Sequence, residues 1–182
     1  YLDLTAGYGG HAAEVIKIIG DESLVTLVDR DSYAVERLRK RFPKARVIQS
    51  DFAEAIKLLT DEGARFDIVL ADLGVSSVQL DQADRGFGFK NTSELDMRMD
   101  QSQELTAKEV INTYREDDLA RILRDYGDEP RAKRIAGLIR EARPIETTSD
   151  LEALVKRVYP GYSKKNPATR TFQAIRIEVN NE

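Results

Sequence analysis

The feature that most constrains the fold is the alternation of strand-like and helix-like segments across the first 72 residues. Apolar strand signals occur at residues 1–4, at "LVTLVD" (24–29), at "ARVIQS" (45–50) and at "FDIVLAD" (66–72). Between them lie helical patterns at Gly10–Ile19, closed by Gly20, from Asp31 to Phe42, stopped by Pro43, and around "EAIKLL" (54–59). Strands that alternate with helices pair in parallel, because a parallel connection needs a crossover long enough to hold a helix. The nearly continuous apolar run of "LVTLVD" suits a strand covered on both faces. The expectation is an α/β fold with a parallel, doubly wound sheet, in which strand four lies beside strand one and leaves its far side open. The chain begins inside a strand without an initiator Met and stops mid-pattern at "RIEVNNE". It therefore reads as a fragment, with a sheet truncated after strand four and completed by strands that follow residue 182.

"DLTAGYGGHA" (3–12) carries the first functional signal. Gly7, Gly9 and Ala12 satisfy the G-x-G-x-x-G/A spacing with which a strand-to-helix turn brings backbone against a dinucleotide. The same turn can receive the methionine part of S-adenosylmethionine, so these ten residues leave both ligands open. Asp29 ends strand two twenty residues after Gly9, where an acid takes ribose hydroxyls in either case. Asp31 sits where the cap of the next helix belongs. Three further strand-end features favour a methyltransferase. Asp3 precedes the glycines, where it can orient the turn and reach toward a cationic amino-acid moiety. "SDF" after strand three offers Asp51 to an adenine amine and Phe52 as an apolar wall. Asp72 ends strand four and runs into "LGVSS", at the place of a methyl acceptor.

Residues 74 to about 104 show no convincing periodicity, and a stretch of that length without regular structure in a compact domain is usually functional. An all-helical region follows. Thr106 and Glu109 form a capping box, Pro130 suits a first helical position, the Thr147–Asp150 cluster caps another helix, and Asn166 with Pro167 starts the last one. Among 182 residues there is no cysteine and one histidine, which removes disulfides, thiolate metal sites and cysteine nucleophiles and leaves no protein metal site to expect. With 41% hydrophobic and 33% charged residues, no segment long and apolar enough to cross a bilayer and no signal peptide, a cytoplasmic location is expected. The formal net charge is −4, but residues 131–182 hold eleven Lys/Arg against six Asp/Glu. Either that third faces phosphates or it carries ordinary solvated helix faces.

Taken in order, "DLTAGYGGH", "DRD", "ADLGVSSVQLDQADRGFGF", "LDMRMD", "LTAKEVIN" and "NPATRTFQAIRIEVN" closely resemble the bacterial ribosomal RNA small-subunit (cytosine-N4)-methyltransferase family, RsmH or MraW. The resemblance implies a class I, Rossmann-like methyltransferase sheet with an inserted all-helical domain. It divides the chain into an S-adenosylmethionine-binding part at 1–104 with a long active-site loop at 73–104, a helical insertion at 105–165, and a helix at 166–182 leading back to the rest of the sheet. It implies methylation of the exocyclic N4 of a cytosine in the decoding region of 16S rRNA within the small subunit. Carried over position by position, it gives S-adenosylmethionine contacts at Gly9, Gly10, His11, Asp29, Phe52, Asp72 and Gln79, with Asp72 also the candidate catalytic carboxylate. Tyr8 and Val78 stand where Gly or Arg, and Pro, are common in the family.

Phe87 and Phe89 offer base stacking or loop packing, Arg85 and Arg98 offer phosphate contacts, and Met97 and Met99 read as packing residues. In the helical region Arg131, Lys133, Arg134, Lys164, Lys165 and Arg170 are the candidate phosphate contacts. A homodimer is left open. The rival readings are an NAD-dependent oxidoreductase built on the same turn and a non-catalytic ribosome-binding protein.

Overall fold

In the computed structural model, which describes residues 1–72, 74, 85–88, 92–159, 161 and 166–182, four strands form one parallel sheet. They are β1 (Leu2–Asp3), β2 (Thr26–Asp29), β3 (Arg46–Gln49) and β4 (Val69–Leu70), in the spatial order β3-β2-β1-β4. Leu2 pairs with Thr26 on one side and with Val69 on the other, so β1 is central and strand four lies beside it as the alternation requires. Gln79, with Val78, Phe89, Lys164 and Lys165, lies outside the described residues. These residues divide into two compact units, Tyr1–Ser76 with Met99–Gln101 and Ser77–Arg98 with Ser102–Glu182.

In the first unit the pleat sorts side chains onto two faces. Val25 and Leu27 join Ala12 of α1 (Gly10–Ile19) and Leu38 of α2 (Ser32–Arg41) in one buried cluster, with Phe42. Leu2, Leu4 and Val28 join Ala55 and Leu59 of α3 (Phe52–Asp61) in the other. Helices therefore cover both faces, which is the α/β Rossmann-like arrangement. Local chemistry sets the boundaries. Asp31 accepts from Tyr33 N–H as the cap of α2. Asp51 accepts from the N–H groups of Ala53 and Glu54, so α3 starts earlier than "EAIKLL". Leu24, read as the first residue of strand two, instead ends a 3₁₀ turn at Glu22–Leu24, whose start is capped by Asp21 accepting from Ser23 N–H, and the strand begins at Thr26. Strand four shortens from 66–72 to Val69–Leu70 and is paired on one side among the described residues, leaving Ile68 56% and Val69 57% exposed.

The second unit is built from α4 (Ala107–Thr113), α5 (Glu116–Asp125), α6 (Ala132–Ala142), α7 (Thr148–Lys156) and α8 (Thr169–Asn180). α5 packs on α6 and α8, α4 on α6 and α8, and α6 on α7, around Ile111, Leu119, Ile122, Leu123, Ile135, Ile139, Leu151 and Ile175. Both capping boxes form, Thr106 with Glu109 and Thr147 with Asp150. Two helix starts shift. Pro130 is not the first residue of α6. Glu129 C=O accepts from Ala132 N–H and its carboxylate from Arg131 N–H, which makes Pro130 the second residue of a turn before the helix. Asn166 does not cap α8 directly either. It accepts from Ala168 N–H through its side chain and from Thr169 N–H through its carbonyl, a turn that delivers the chain to Thr169. Among the described residues no helix is long and apolar enough to cross a membrane.

The described residues 85–88 and 92–98 belong to this unit and are pinned by side chains expected to meet RNA. Arg85 is 5% exposed, donates to Arg98 C=O and lies 5.3 Å from the buried Phe87 ring. Its guanidinium is thus spent on the loop rather than presented to phosphate. Arg98 forms a two-pronged pair with Asp96 at 2.9 and 2.8 Å and donates to Gln103 C=O. Burial raises the Asp96 carboxyl, but the Arg98 bonds outweigh it and hold the group below its ordinary value. Met97 and Met99 are buried, the packing role their pattern suggested. Arg131 donates to Val158 C=O and stacks 4.4 Å from the Tyr159 ring, whose hydroxyl donates to buried Glu129. Burial and that Glu129 bond push the Tyr159 hydroxyl up to about 12. Lys133, Arg134 and Arg170 stay exposed.

Candidate active site

In the first unit the carboxyl ends of β1, β2 and β4 bring together the turn after β1 and three acids. The turn leaves the sheet at Ala6, whose N–H donates to Val28 C=O, and closes with Gly9 N–H on Ala6 C=O at 2.8 Å. Gly9 has φ 77°, and a Cβ there would stand 2.4 Å from Phe42 Cε2 and 3.0 Å from Leu38 Cδ2. Its glycine identity comes from a left-handed backbone with α2 and its cap residue behind it, a reason within the fold itself. The surface free for a ligand is at Gly7 and Gly10, where an added Cβ would meet nothing within 4 Å. Tyr8 faces the protein: Arg37 lies 5.2 Å from its ring and Arg41 donates to its carbonyl at 2.8 Å. His11 stands exposed in the first turn of α1, on the same unit.

Asp29, at the end of β2, is half-buried and braces this turn. One carboxylate oxygen accepts from Gly7 N–H at 2.7 Å and the other from Asp31 N–H at 2.9 Å. Burial pushes its carboxyl above the ordinary value against those two bonds, and the charges of Asp31 and Asp3 add to the push. Each oxygen keeps a second lone pair, so the group can still accept from a ribose diol. Its residue type and position suit that ligand, while its present bonds make it the brace of the turn as well. Asp3 is wholly buried and accepts from Tyr1 hydroxyl at 3.0 Å and Thr5 N–H at 3.2 Å. Burial raises its carboxyl, His11 lowers it and Asp72 raises it further, so these groups share one electrostatic neighbourhood. Asp3 therefore acts as a buried orienter of the turn rather than a surface partner for a cation.

Asp72 is exposed at the end of β4, and its N–H donates to Thr5 Oγ1 at 2.7 Å. Phe52 is 42% exposed on the first turn of α3, available as an apolar wall. Asp51, offered by the sequence to an adenine amine, spends one carboxylate oxygen on capping that helix. Thr5 is the residue that sequence reasoning missed: only a hydroxyl two residues after a strand-end Asp signalled it. Open backbone at Gly7 and Gly10, a diol-accepting Asp29, an exposed ring at Phe52 and an exposed carboxylate at Asp72 fit an adenosyl group with an electrophilic centre. Among the described residues no group of His, Asp and Glu could hold a metal ion.

Comparison with known proteins places this arrangement in a family. The chain is similar to the ribosomal RNA small subunit methyltransferase H of Synechocystis, at 46% identity over all of this chain and 62% of that protein. It is similar to proteins of that name from Picosynechococcus, at 47% identity over all of this chain and 63% of the relative, and from Clostridioides difficile, at 46% and 62%. The chain thus spans somewhat under two thirds of the length of the curated relatives it matches. Residues 1–182 match the family model throughout, and the chain belongs to the MraW methylase family.

Proposed function

We propose that the protein methylates the exocyclic N4 of a cytosine in the decoding region of 16S rRNA, in the small ribosomal subunit, using S-adenosylmethionine in the cytoplasm. The observation that carries the reading is the placing of Asp29 and Asp72 at the ends of β2 and β4 around one glycine turn, in a chain of this family. Gly9, Gly10, His11, Asp29, Phe52, Asp72 and Gln79 are the residues assigned to the cofactor. When bound, S-adenosylmethionine supplies a methyl group on a positive sulfur.

Asp29 accepts the ribose hydroxyls, Phe52 covers the adenine, and the open backbone of Gly10 admits the methionine part. Cytosine N4 is a poor nucleophile because its lone pair is delocalised into the ring. The Asp72 carboxylate accepts a hydrogen bond from the amine and draws that pair back onto nitrogen. Methyl transfer to N4 would leave the electrons of the broken S–CH₃ bond on sulfur and one surplus proton on nitrogen, which Asp72 or water takes. The chain contains no cysteine, and methylation at cytosine C5 proceeds through a cysteine adduct, so attack by nitrogen suits these residues better. Family membership favours this donor over a nicotinamide dinucleotide on the same turn.

The test supplies labelled cofactor with assembled small subunits and with naked rRNA and identifies the modified nucleoside by mass spectrometry. The expected product is N4-methylcytidine, lost in Asp72→Asn by about two orders of magnitude or more, with cofactor binding measured alongside because Asp72 is assigned to both tasks. A product of 5-methylcytidine, or no label in the RNA, overturns the reading.

A further inference from the structure

The β1–β4 ladder contains a substitution that nothing in the sequence announces. Leu2 N–H donates to Ile68 C=O and Leu4 N–H to Leu70 C=O, both at 2.9 Å. In a parallel pair the next rung would run from Asp72 N–H to Leu4 C=O. Among the described residues that rung is missing. Asp72 N–H turns to the Thr5 side chain and meets Oγ1 at 2.7 Å. The chain then crosses away, because Ala6 N–H donates to Val28 C=O on the opposite neighbour. The strands separate at this point, where β1 is flanked by β2 and β4 and where open α/β sheets place their ligands.

We propose that Thr5 is a positioning residue for methyl transfer, its hydroxyl oxygen replacing the last rung of the ladder so that Asp72 keeps its place while the strands part. Thr5 is itself held by its N–H on buried Asp3 at 3.2 Å. β-Branching restricts the Thr5 rotamer, which suits a side chain that must hold one direction. Without this acceptor the Asp72 backbone is released to solvent, and its carboxylate loses a fixed distance to the reacting amine. A misplacement of about 1 Å at a reacting group costs about 100-fold in rate.

The inference rests on the methyltransferase reading, and the test separates the two. Thr5→Val keeps the branched shape and removes the acceptor, whereas Thr5→Ser keeps the hydroxyl. Three quantities are measured on each: kcat and KM for the RNA, the Kd of S-adenosylmethionine, and hydrogen exchange at the Asp72 amide by NMR. Thr5→Val is expected to lower kcat by about 10–100-fold, to change the cofactor Kd by less than about threefold, and to speed exchange at Asp72 by at least about tenfold. Thr5→Ser is expected to recover most of each loss. A merely structural role would lower the melting temperature of Thr5→Val and leave kcat of the folded protein intact, which overturns the proposal. Equal exchange at Asp72 in wild type and Thr5→Val also overturns it, whatever the activity. A wild type that transfers no methyl group to RNA removes the functional reading and the catalytic half of this proposal together, and the exchange result then decides the anchoring alone.

Discussion

Replacing Asp29 by Asn perturbs the site by one atom and separates its two tasks. The carboxylate accepts two backbone N–H groups, from Gly7 at 2.7 Å and from Asp31 at 2.9 Å, and an amide offers one oxygen to them. One N–H must then face an NH₂ group. A hydrogen bond to a charged group is worth about 1.5–3 kcal/mol. Against that, the buried carboxylate is itself ionised at a cost, since its folded value stands above its ordinary one. The net loss in the ligand-free protein is therefore at the lower end, about 1–2 kcal/mol, or about 2–8 °C in melting temperature for a chain of this size. Binding suffers further, because the ribose hydroxyls lose a charged acceptor, and the Kd of S-adenosylmethionine should rise at least about tenfold. Calorimetry with S-adenosylmethionine, beside thermal melting without it, reads both effects. An unchanged Kd with a lowered melting temperature would show Asp29 to be a brace of the turn alone and would refute its role toward the ribose.

Two other outcomes are expected. Gly9→Ala drives a Cβ to 2.4 Å from Phe42 and imposes a side chain at φ 77°, so the protein should lose about 1–3 kcal/mol in denaturant unfolding, with Gly10→Ala as the milder control. Burial raises the Asp3 carboxyl in the folded state, so its ionisation costs stability at neutral pH and that cost is recovered as pH falls through the folded value toward the ordinary one near 4. The stability of wild type relative to Asp3→Asn should accordingly rise from pH 7.5 to pH 4.5 in urea titrations, and a flat or falling difference would contradict the assignment.

Regular features were legible wherever a short-range rule decides them. Helix α1 ends at the glycine that the sequence offers, Asp31 caps α2, and both capping boxes form because each is closed within four residues. The place of strand four beside strand one followed from crossover rules with no knowledge of side-chain packing. Legibility failed where a distant partner decides. Arg85 reads as a surface cation until the Arg98 carbonyl and the Phe87 ring are brought to it. Gly9 looks like a ligand's glycine, and only the fold reveals Phe42 behind it. The candidate acids were legible as strand-end carboxylates, but their backbone partners were not: Gly7 lies 22 residues from Asp29, and Thr5 lies 67 from Asp72.

Those two partners lie on a single short segment. Thr5 steadies the acid of one neighbouring strand and Gly7 the acid of the other, so residues 5–7 act as a common hinge pin between β2 and β4. Asp29 and Asp72 need no bond to each other to be energetically linked. If a ligand on Asp29 stiffens residues 5–7, its binding is coupled to the hold on Asp72 through that segment. Double-mutant cycles between the two acids would then depart from additivity despite their separation in the chain, and the order in which donor and acceptor load would be written into three residues of backbone.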